Sequence, residues 1–205
     1  AYASLLVADD QGSMDVDVLI VTHDRLLLVE LKEWNGNLES SDGKWFVNKK
    51  YRSKSPYETK RVHALRLAKL LERELKHKLG YYLLVEAHVV LCGNANASNL
   101  STTEKRFVHT LKDFLQISTA EGYERITADQ SKAIYTVFDL HKNPRPNSDQ
   151  CLPHIKEFFA GPRIQPKNFI QFNYVANDDC WFEHRNGLYK EYKGIHQESP
   201  NLKAL

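Results

Sequence analysis

Residues 15–21 read Asp-Val-Asp-Val-Leu-Ile-Val, and residues 26–32 read Leu-Leu-Leu-Val-Glu-Leu-Lys. Both segments have the aliphatic, β-branched composition of buried strands, and the polar residues between them predict a short turn that makes them antiparallel neighbours. Charged side chains on such strands need partners, because burying an unpaired charge is costly. The two segments therefore predict a sheet edge that carries acids and an amine.

Three side chains of these strands are predicted to meet. Side chains at positions i and i+2 of a strand share a face, so Glu30 and Lys32 project side by side. A turn centred near Asp24 would place residues 17 and 31 opposite each other, which brings Asp17 near Glu30. The two carboxylates and the carbonyl oxygen of Leu31 are hard ligands of the kind that Mg²⁺ prefers. With an ammonium group to orient water, this set is suited to metal-assisted phosphodiester hydrolysis.

The next segment predicts a strand, helix, strand unit. Ser55, Pro56 and Glu58 combine an N-cap, a first-turn proline and a capping box, and Gly80 ends the helix that they start. Residues 81–91 then predict a core strand, which makes the fold class α/β. We expect two apolar lines on the helix, one of Val62, Leu65, Ala68 and Glu72 and one of Ala64, Leu67, Leu71, Leu75 and Leu79, with Lys60, Arg61, Lys69, Arg73 and Lys76 facing solvent.

Composition excludes several classes of protein. The longest apolar runs are far shorter than the roughly 20 residues needed to cross a bilayer, so no membrane partner is expected. The three cysteines, Cys92, Cys151 and Cys180, are widely separated and contain no Cys-x-x-Cys pair, which argues against a disulfide framework or a structural zinc site. We therefore expect a cytoplasmic protein. Because the chain begins at Ala1 without methionine, we also expect residues to precede it.

Positive charge is concentrated in one segment. Residues 49–78 contain 11 Lys or Arg against 3 Asp or Glu, whereas the whole chain has a net charge of only +2. Such a concentration favours a polyanionic partner, and we expect a nucleic acid, with DNA the first choice. A solvated helix face is the alternative explanation of the same charges. The candidate nucleic-acid contacts are Lys49, Lys50, Arg52, Lys54, Lys60 and Arg61.

The polar segment 142–149, which contains two prolines, is the best candidate for a domain boundary. It divides the chain into a catalytic domain, residues 1–142, and a linker with a β-rich extension, residues 143–205. Before the boundary we expect a helix over 128–141. After it we expect a hairpin of 169–175 and 180–184 around a turn at 176–179, and a strand over 188–195.

The Asp-Val-Asp sequence at 15–17, the Glu-Leu-Lys-Glu-Trp-Asn-Gly sequence at 30–36 and the Ser-Pro helix start at 55–56 together resemble the nuclease-related domain (NERD) family of the PD-(D/E)xK nuclease superfamily. The resemblance covers roughly residues 2–141. It implies a restriction-endonuclease-like mixed β-sheet flanked by helices. It also implies that Asp17 and Glu30 bind Mg²⁺ or Mn²⁺ and that Lys32 is the catalytic lysine.

Two departures accompany this resemblance. Family members usually carry a helix with a further acid before the first strand, which is absent here, and Thr59 replaces a frequent glutamine. The C-terminal residues resemble the region that joins such a domain to a kinase or helicase module in larger bacterial proteins.

Two alternatives to catalysis remain open on sequence alone. Glu30 and Lys32 can form an ordinary surface salt bridge, worth about 0–1 kcal/mol. The chain can also be an inactive nuclease fold that binds nucleic acid or regulates a fused kinase or helicase.

Overall fold

The computed structural model describes residues 1–127 and 143–166, together with the backbone of three strands, Tyr174–Glu183, Lys190–His196 and Lys203–Ala204. The chain divides into two compact units, Ala1–Gln165 and Pro166–Leu205. The helix expected over 128–141 lies outside the described residues. The domain boundary expected between residues 142 and 143 stays a prediction. The boundary between the two compact units lies after Gln165.

The central element of the first unit is a six-stranded mixed sheet with the order β10-β1-β2-β3-β7-β9. Strands β1 to β3 form an antiparallel meander, and β7 and β9 join it in parallel, so the α/β class predicted from the sequence is confirmed. The strands are β1 (Tyr2–Asp9), β2 (Gly12–Val21), β3 (Leu26–Lys32), β7 (Val85–Leu91), β9 (Val108–Thr110) and β10 (Ile164–Pro166).

Helix α1 (Pro56–Leu79) covers one face of this sheet. The Ser55 hydroxyl accepts the backbone N–H of Glu58 as the capping box predicts, and Gly80 ends the helix with φ of 73°, a left-handed conformation that glycine adopts without strain. The apolar line from Ala64 to Leu75 is buried, as expected. The second expected line is wrong, because Val62 and Leu65 are 50% and 55% exposed.

The opposite face of the sheet is covered by short helical segments. These are α3 (Leu111–Phe114), a 3₁₀ turn (Leu115–Ser118) and the helical residues 120–127 (α4). Phe114, Tyr123 and Ile126 pack there against Leu27 and Val29 of β3. Helix α5 (Leu152–Phe159) and its N-cap Cys151 instead pack on the α1 face of the core, to which α5 contributes Ile155 and Phe159. Sequence patterning did not indicate that residues beyond the proline-rich segment complete this core.

A second, four-stranded sheet with the order β6-β5-β4-β8 extends from the first unit. Two tight hairpins build it, with Asp42-Gly43 and Asn48-Lys49 at their turns, and all four turn residues have positive φ. That conformation is typical of the type I′ turns that match strand twist. The strands are β4 (Gly36–Ser41), β5 (Lys44–Val47), β6 (Lys50–Lys54) and β8 (Ala95–Asn99).

Glu104, on helix α2 (Thr102–Lys105), joins this small sheet to the start of α1. Its buried carboxylate accepts hydrogen bonds from Trp45 Nε1 at 2.6 Å, Ser55 Oγ at 2.7 Å and Ser101 Oγ at 2.8 Å. Burial raises the pKa of Glu104, but hydrogen bonds from Ser40, Trp45, Ser55 and Ser101 outweigh it and hold the pKa below its usual value. The carboxylate is therefore ionised in the folded protein at neutral pH.

Replacing Glu104 with glutamine is expected to lower the free energy of unfolding by about 1–3 kcal/mol, because an amide cannot accept all of these hydrogen bonds. Urea unfolding followed by circular dichroism measures the loss. Glu121→Gln is the matched control, since Glu121 is exposed. Equal stability of the two variants would contradict the role given to Glu104.

A second buried polar network crosses the α3 face of the sheet. Arg25 Nη1 donates to Glu86 Oε2 at 2.8 Å, and Glu86 Oε1 lies 2.7 Å from His88 Nε2. Because the carboxylate must accept, His88 Nε2 carries the hydrogen, and His88 Nδ1 lies 3.0 Å from His109 Nε2. Burial, helped by the nearby His88, lowers the pKa of His109 to about 3, although Asp113 opposes the shift.

The low pKa of His109 makes stability depend on pH. In the unfolded chain His109 has a pKa of about 6.5, so it binds a proton below that pH, whereas folded His109 stays neutral. The free energy of unfolding therefore falls as the pH drops from about 6.5 toward about 3. Between pH ~6.5 and pH ~5.5 the wild type should lose about 1 kcal/mol more than His109→Gln. Urea unfolding of both proteins across this range measures the difference. Parallel pH profiles would show that His109 is not held neutral.

The second unit contains a three-stranded antiparallel sheet, β11 (Tyr174–Glu183), β12 (Lys190–His196) and β13 (Lys203–Ala204). The hairpin expected around 176–179 is wrong, because these residues lie within β11, where the register with β12 shifts between Ala176 and Cys180. The β-rich composition itself is confirmed. Within the described part of the chain, no helix has the length and apolar character of a membrane span.

Candidate active site

Asp17, Glu30 and Lys32 lie at the edge where β2 and β3 diverge. The ladder between the two strands ends at the pair Val18–Val29, and its register differs by one residue from the expected register, which paired 17 with 31. Asp17 Oδ2 accepts the backbone N–H of Leu31 at 2.9 Å. The carboxylate of Asp17 is thus fixed beside the chain segment that carries Glu30.

The alternation of buried positions along β2 is irregular around Asp17. Met14, Val16 and Leu19 all pack in the core beneath α1, so the alternation of buried positions shifts by one between Val16 and Leu19. Asp17 lies at this shift. Glu30 shares the face of Leu28, which packs in the same core.

Glu30 binds two ammonium groups. Its Oε1 lies 2.5 Å from Lys32 Nζ, and its Oε2 lies 2.6 Å from Lys60 Nζ. Burial of Glu30 by itself raises its pKa, but Lys60 and Lys32 together hold the pKa below its ordinary value. Glu30 is therefore a carboxylate at neutral pH although its side chain is only 13% exposed.

Lys60 is the site residue that sequence reasoning placed wrongly. It was expected on the solvent face of α1 among the nucleic-acid contacts, yet it is 3% exposed and its Nζ also donates to the Asp15 carbonyl at 2.5 Å. A signal was present in the sequence, because Tyr57, Lys60, Ala64 and Leu67 follow the three- and four-residue spacing of one helix face. Lys60 lies on the apolar stripe and reaches from it to Glu30.

The other predicted nucleic-acid contacts are exposed. Lys49 is in the turn before β6, and Lys50, Arg52 and Lys54 lie along β6, whereas Arg61 on α1 pairs with Glu58 at 2.9 Å. The basic side chains of β6 and its turn therefore form a group of their own on the small sheet. Arg61 lies on a different element.

Asp17, Glu30 and the Leu31 carbonyl are the oxygen donors that this edge offers a divalent cation. Their chemistry fits Mg²⁺, since hard oxygens suit it and Glu30 is ionised. The edge is open, because Leu31 is 41% exposed. Among the described residues no group of three or more His, Cys, Asp or Glu side chains could hold a metal ion, so the two acids would need the carbonyl and water to complete the coordination.

Residues 1–92 match the family model described as the nuclease-related domain. Searches of curated proteins and of solved structures gave no match. The matched segment contains Asp17, Glu30, Lys32 and Lys60, the residues that the fold brings together. Over residues 1–92 the chain is therefore similar to the nuclease-related domain family.

Proposed function

We propose that the chain is a metal-dependent nuclease that hydrolyses phosphodiester bonds in DNA. The observation that carries the proposal is the convergence of Asp17, Glu30 and Lys32 at one open sheet edge, with Glu30 Oε1 2.5 Å from Lys32 Nζ. The similarity of residues 1–92 to the nuclease-related domain family supports it. The activity, the metal and the DNA substrate are all parts of this proposal.

In the proposed site, Asp17, Glu30 and the Leu31 carbonyl would hold Mg²⁺ or Mn²⁺. When bound there, such an ion would lower the pKa of a coordinated water and neutralise charge on the phosphate. Lys32, whose side chain is 27% exposed beside Glu30, orients the attacking water and stabilises the negative charge that develops at phosphorus. Lys60 is buried and acts through Glu30, by holding that carboxylate ionised and in place.

Plasmid digestion tests the activity. The protein is expected to convert supercoiled DNA to nicked or linear forms in Mg²⁺ or Mn²⁺ and to leave it intact in EDTA. Isothermal titration with Mg²⁺ is expected to show binding that Glu30→Gln abolishes. Failure to cut in either metal would contradict the catalytic proposal.

One observation favours a second candidate function, a nuclease fold that has kept nucleic-acid binding without catalysis. Both oxygens of Glu30 are held by ammonium groups, and a metal ion must compete with them. Such a module could regulate a kinase or helicase domain on the same protein. It would bind DNA with strong salt dependence, but Mg²⁺ titration would show no binding at Glu30.

A further inference from the structure

A groove of about 510 Å³ lies next to the candidate active site, between the end of β3 and the hairpin of β5 and β6. We call it the hairpin groove and define it by Glu33, Trp34, Asn48, Lys50, Tyr51 and Arg52, which line it. The Trp34 ring links the groove to the site, because Lys32 Nζ lies 6.0 Å from the ring centroid.

The hairpin is bent so that neighbouring residues line the groove together. Trp45 pairs with Ser53, but Phe46 pairs with Tyr51, so Arg52 is an extra residue in β6. Adjacent residues of a regular strand point to opposite faces, and a bulge of this kind re-aims one of them. Tyr51 and Arg52 both line the groove as a result, with Arg52 Cζ 5.8 Å from the Trp34 ring.

The floor of the groove is fixed before any ligand arrives. Asn48 Oδ1 accepts the backbone N–H of Asn37 at 2.9 Å. Gly36 has φ of +105°, and a Cβ at that position would meet Asn48 Nδ2 at 2.6 Å, so only glycine allows this close approach. A groove held in one shape binds without the entropic cost of ordering its walls.

The side chains that face solvent in the groove offer two kinds of contact. Tyr51 is 59% exposed, and its ring makes a T-shaped contact with Phe46 at 6.1 Å between centroids, which covers at most one face of the Tyr51 ring. Lys50 and Arg52 add positive charge, while Glu33 repels phosphate from the opposite wall. An aromatic platform beside a cationic rim is the pattern of sites that stack an unpaired base and hold its phosphates.

We propose that the hairpin groove binds an unpaired nucleotide stacked on Tyr51, with its phosphates on Lys50 and Arg52, and that the substrate is therefore single-stranded DNA or a single-stranded end. Bases inside a duplex are already stacked and paired, so they cannot offer a face to Tyr51 without unstacking. This proposal assigns a substrate class to the nuclease proposed above, and that assignment rests on the proposed nuclease activity. The binding of a single strand in the groove does not depend on that activity.

Fluorescence anisotropy tests strand binding in EDTA, where no cleavage or metal binding contributes. The probes are a labelled oligothymidylate and a duplex of the same length, at one low salt concentration, with the 205-residue chain. Wild-type protein is expected to prefer the single strand. Tyr51→Ala is expected to weaken single-strand binding about tenfold, Tyr51→Phe to keep it, and duplex binding to stay unchanged in both.

Tyr82→Ala is the matched control, because Tyr82 is 49% exposed and has Lys76 Nζ 4.9 Å from its ring centroid, yet it does not line the groove. Arg52→Gln provides a second variant, which should weaken single-strand binding and reduce its salt dependence. Equal affinity of the wild type for both probes, or equal binding by Tyr51→Ala and Tyr51→Phe, would overturn the groove proposal. Preserved single-strand preference without any cleavage would overturn only the nuclease proposal.

Discussion

Lys32→Ala is expected to lower the rate of DNA cleavage by a factor of about a hundred or more. Removing one group that stabilises developing negative charge typically costs an enzyme this much, and Lys32 is the ammonium group at the open edge, with Glu30 Oε1 at 2.5 Å. Single-turnover cleavage of labelled DNA in saturating Mg²⁺ measures the effect on the chemical step. The expected fall is in the rate constant and not in strand affinity.

Two controls separate catalysis from binding and from contamination. Lys112→Ala removes an exposed lysine on α3, far along the chain from the site residues, and should cut at the wild-type rate. Lys32→Ala should bind oligothymidylate in EDTA within about twofold of the wild type, since the hairpin groove carries that binding. Cleavage by Lys32→Ala at the wild-type rate would remove Lys32 from the mechanism and point to a contaminating nuclease.

Lys60→Met is expected to lower the free energy of unfolding by about 3 kcal/mol. Removing one member of a buried ion pair leaves its partner buried without compensation, which is the costly way to break such a pair. Lys60 is 3% exposed, and its loss leaves Glu30 with Lys32 alone and takes a donor from the Asp15 carbonyl. Methionine retains most of the stem, so the packing of α1 changes little.

The neighbouring residue provides the matched control for this variant. Arg61→Met removes the next cation of α1, whose side chain is 52% exposed in its pair with Glu58, and exposed pairs of this kind contribute only about 0.5 kcal/mol. Urea unfolding with unchanged m-values measures both losses. If Lys60→Met is no less stable than Arg61→Met, the ion pair between Lys60 and Glu30 does not stabilise the fold.

Lys60→Met also tests how Lys60 affects cation binding at Glu30. Its ammonium group occupies Glu30 Oε2 at 2.6 Å, so it competes with any cation there while keeping the carboxylate ionised. Titration with Mg²⁺ compares these effects directly. Tighter Mg²⁺ binding by the variant would show that competition dominates, and weaker binding would show that Lys60 acts by positioning and ionising Glu30.

The sequence by itself determined the local elements and the identity of the main site residues. Apolar runs predicted β2 and β3, and the capping signals at Ser55 and Gly80 predicted both ends of α1. These signals are local, because strand composition, capping and chain reversal depend on residues only a few positions apart. The pair Glu30 and Lys32 followed from the two-residue period of a strand alone.

Only the tertiary structure decided where Lys60 lies and how the hairpin groove is built. Lys60 approaches Glu30 across 30 residues of chain, and charge alone suggested solvent for it. The groove depends on a bulge at Arg52, which has no clear signal in the sequence. Both features arise from packing between distant segments, here α1 on the sheet and the hairpin beside Trp34, and burial of this kind overrides the preference of a single residue for water.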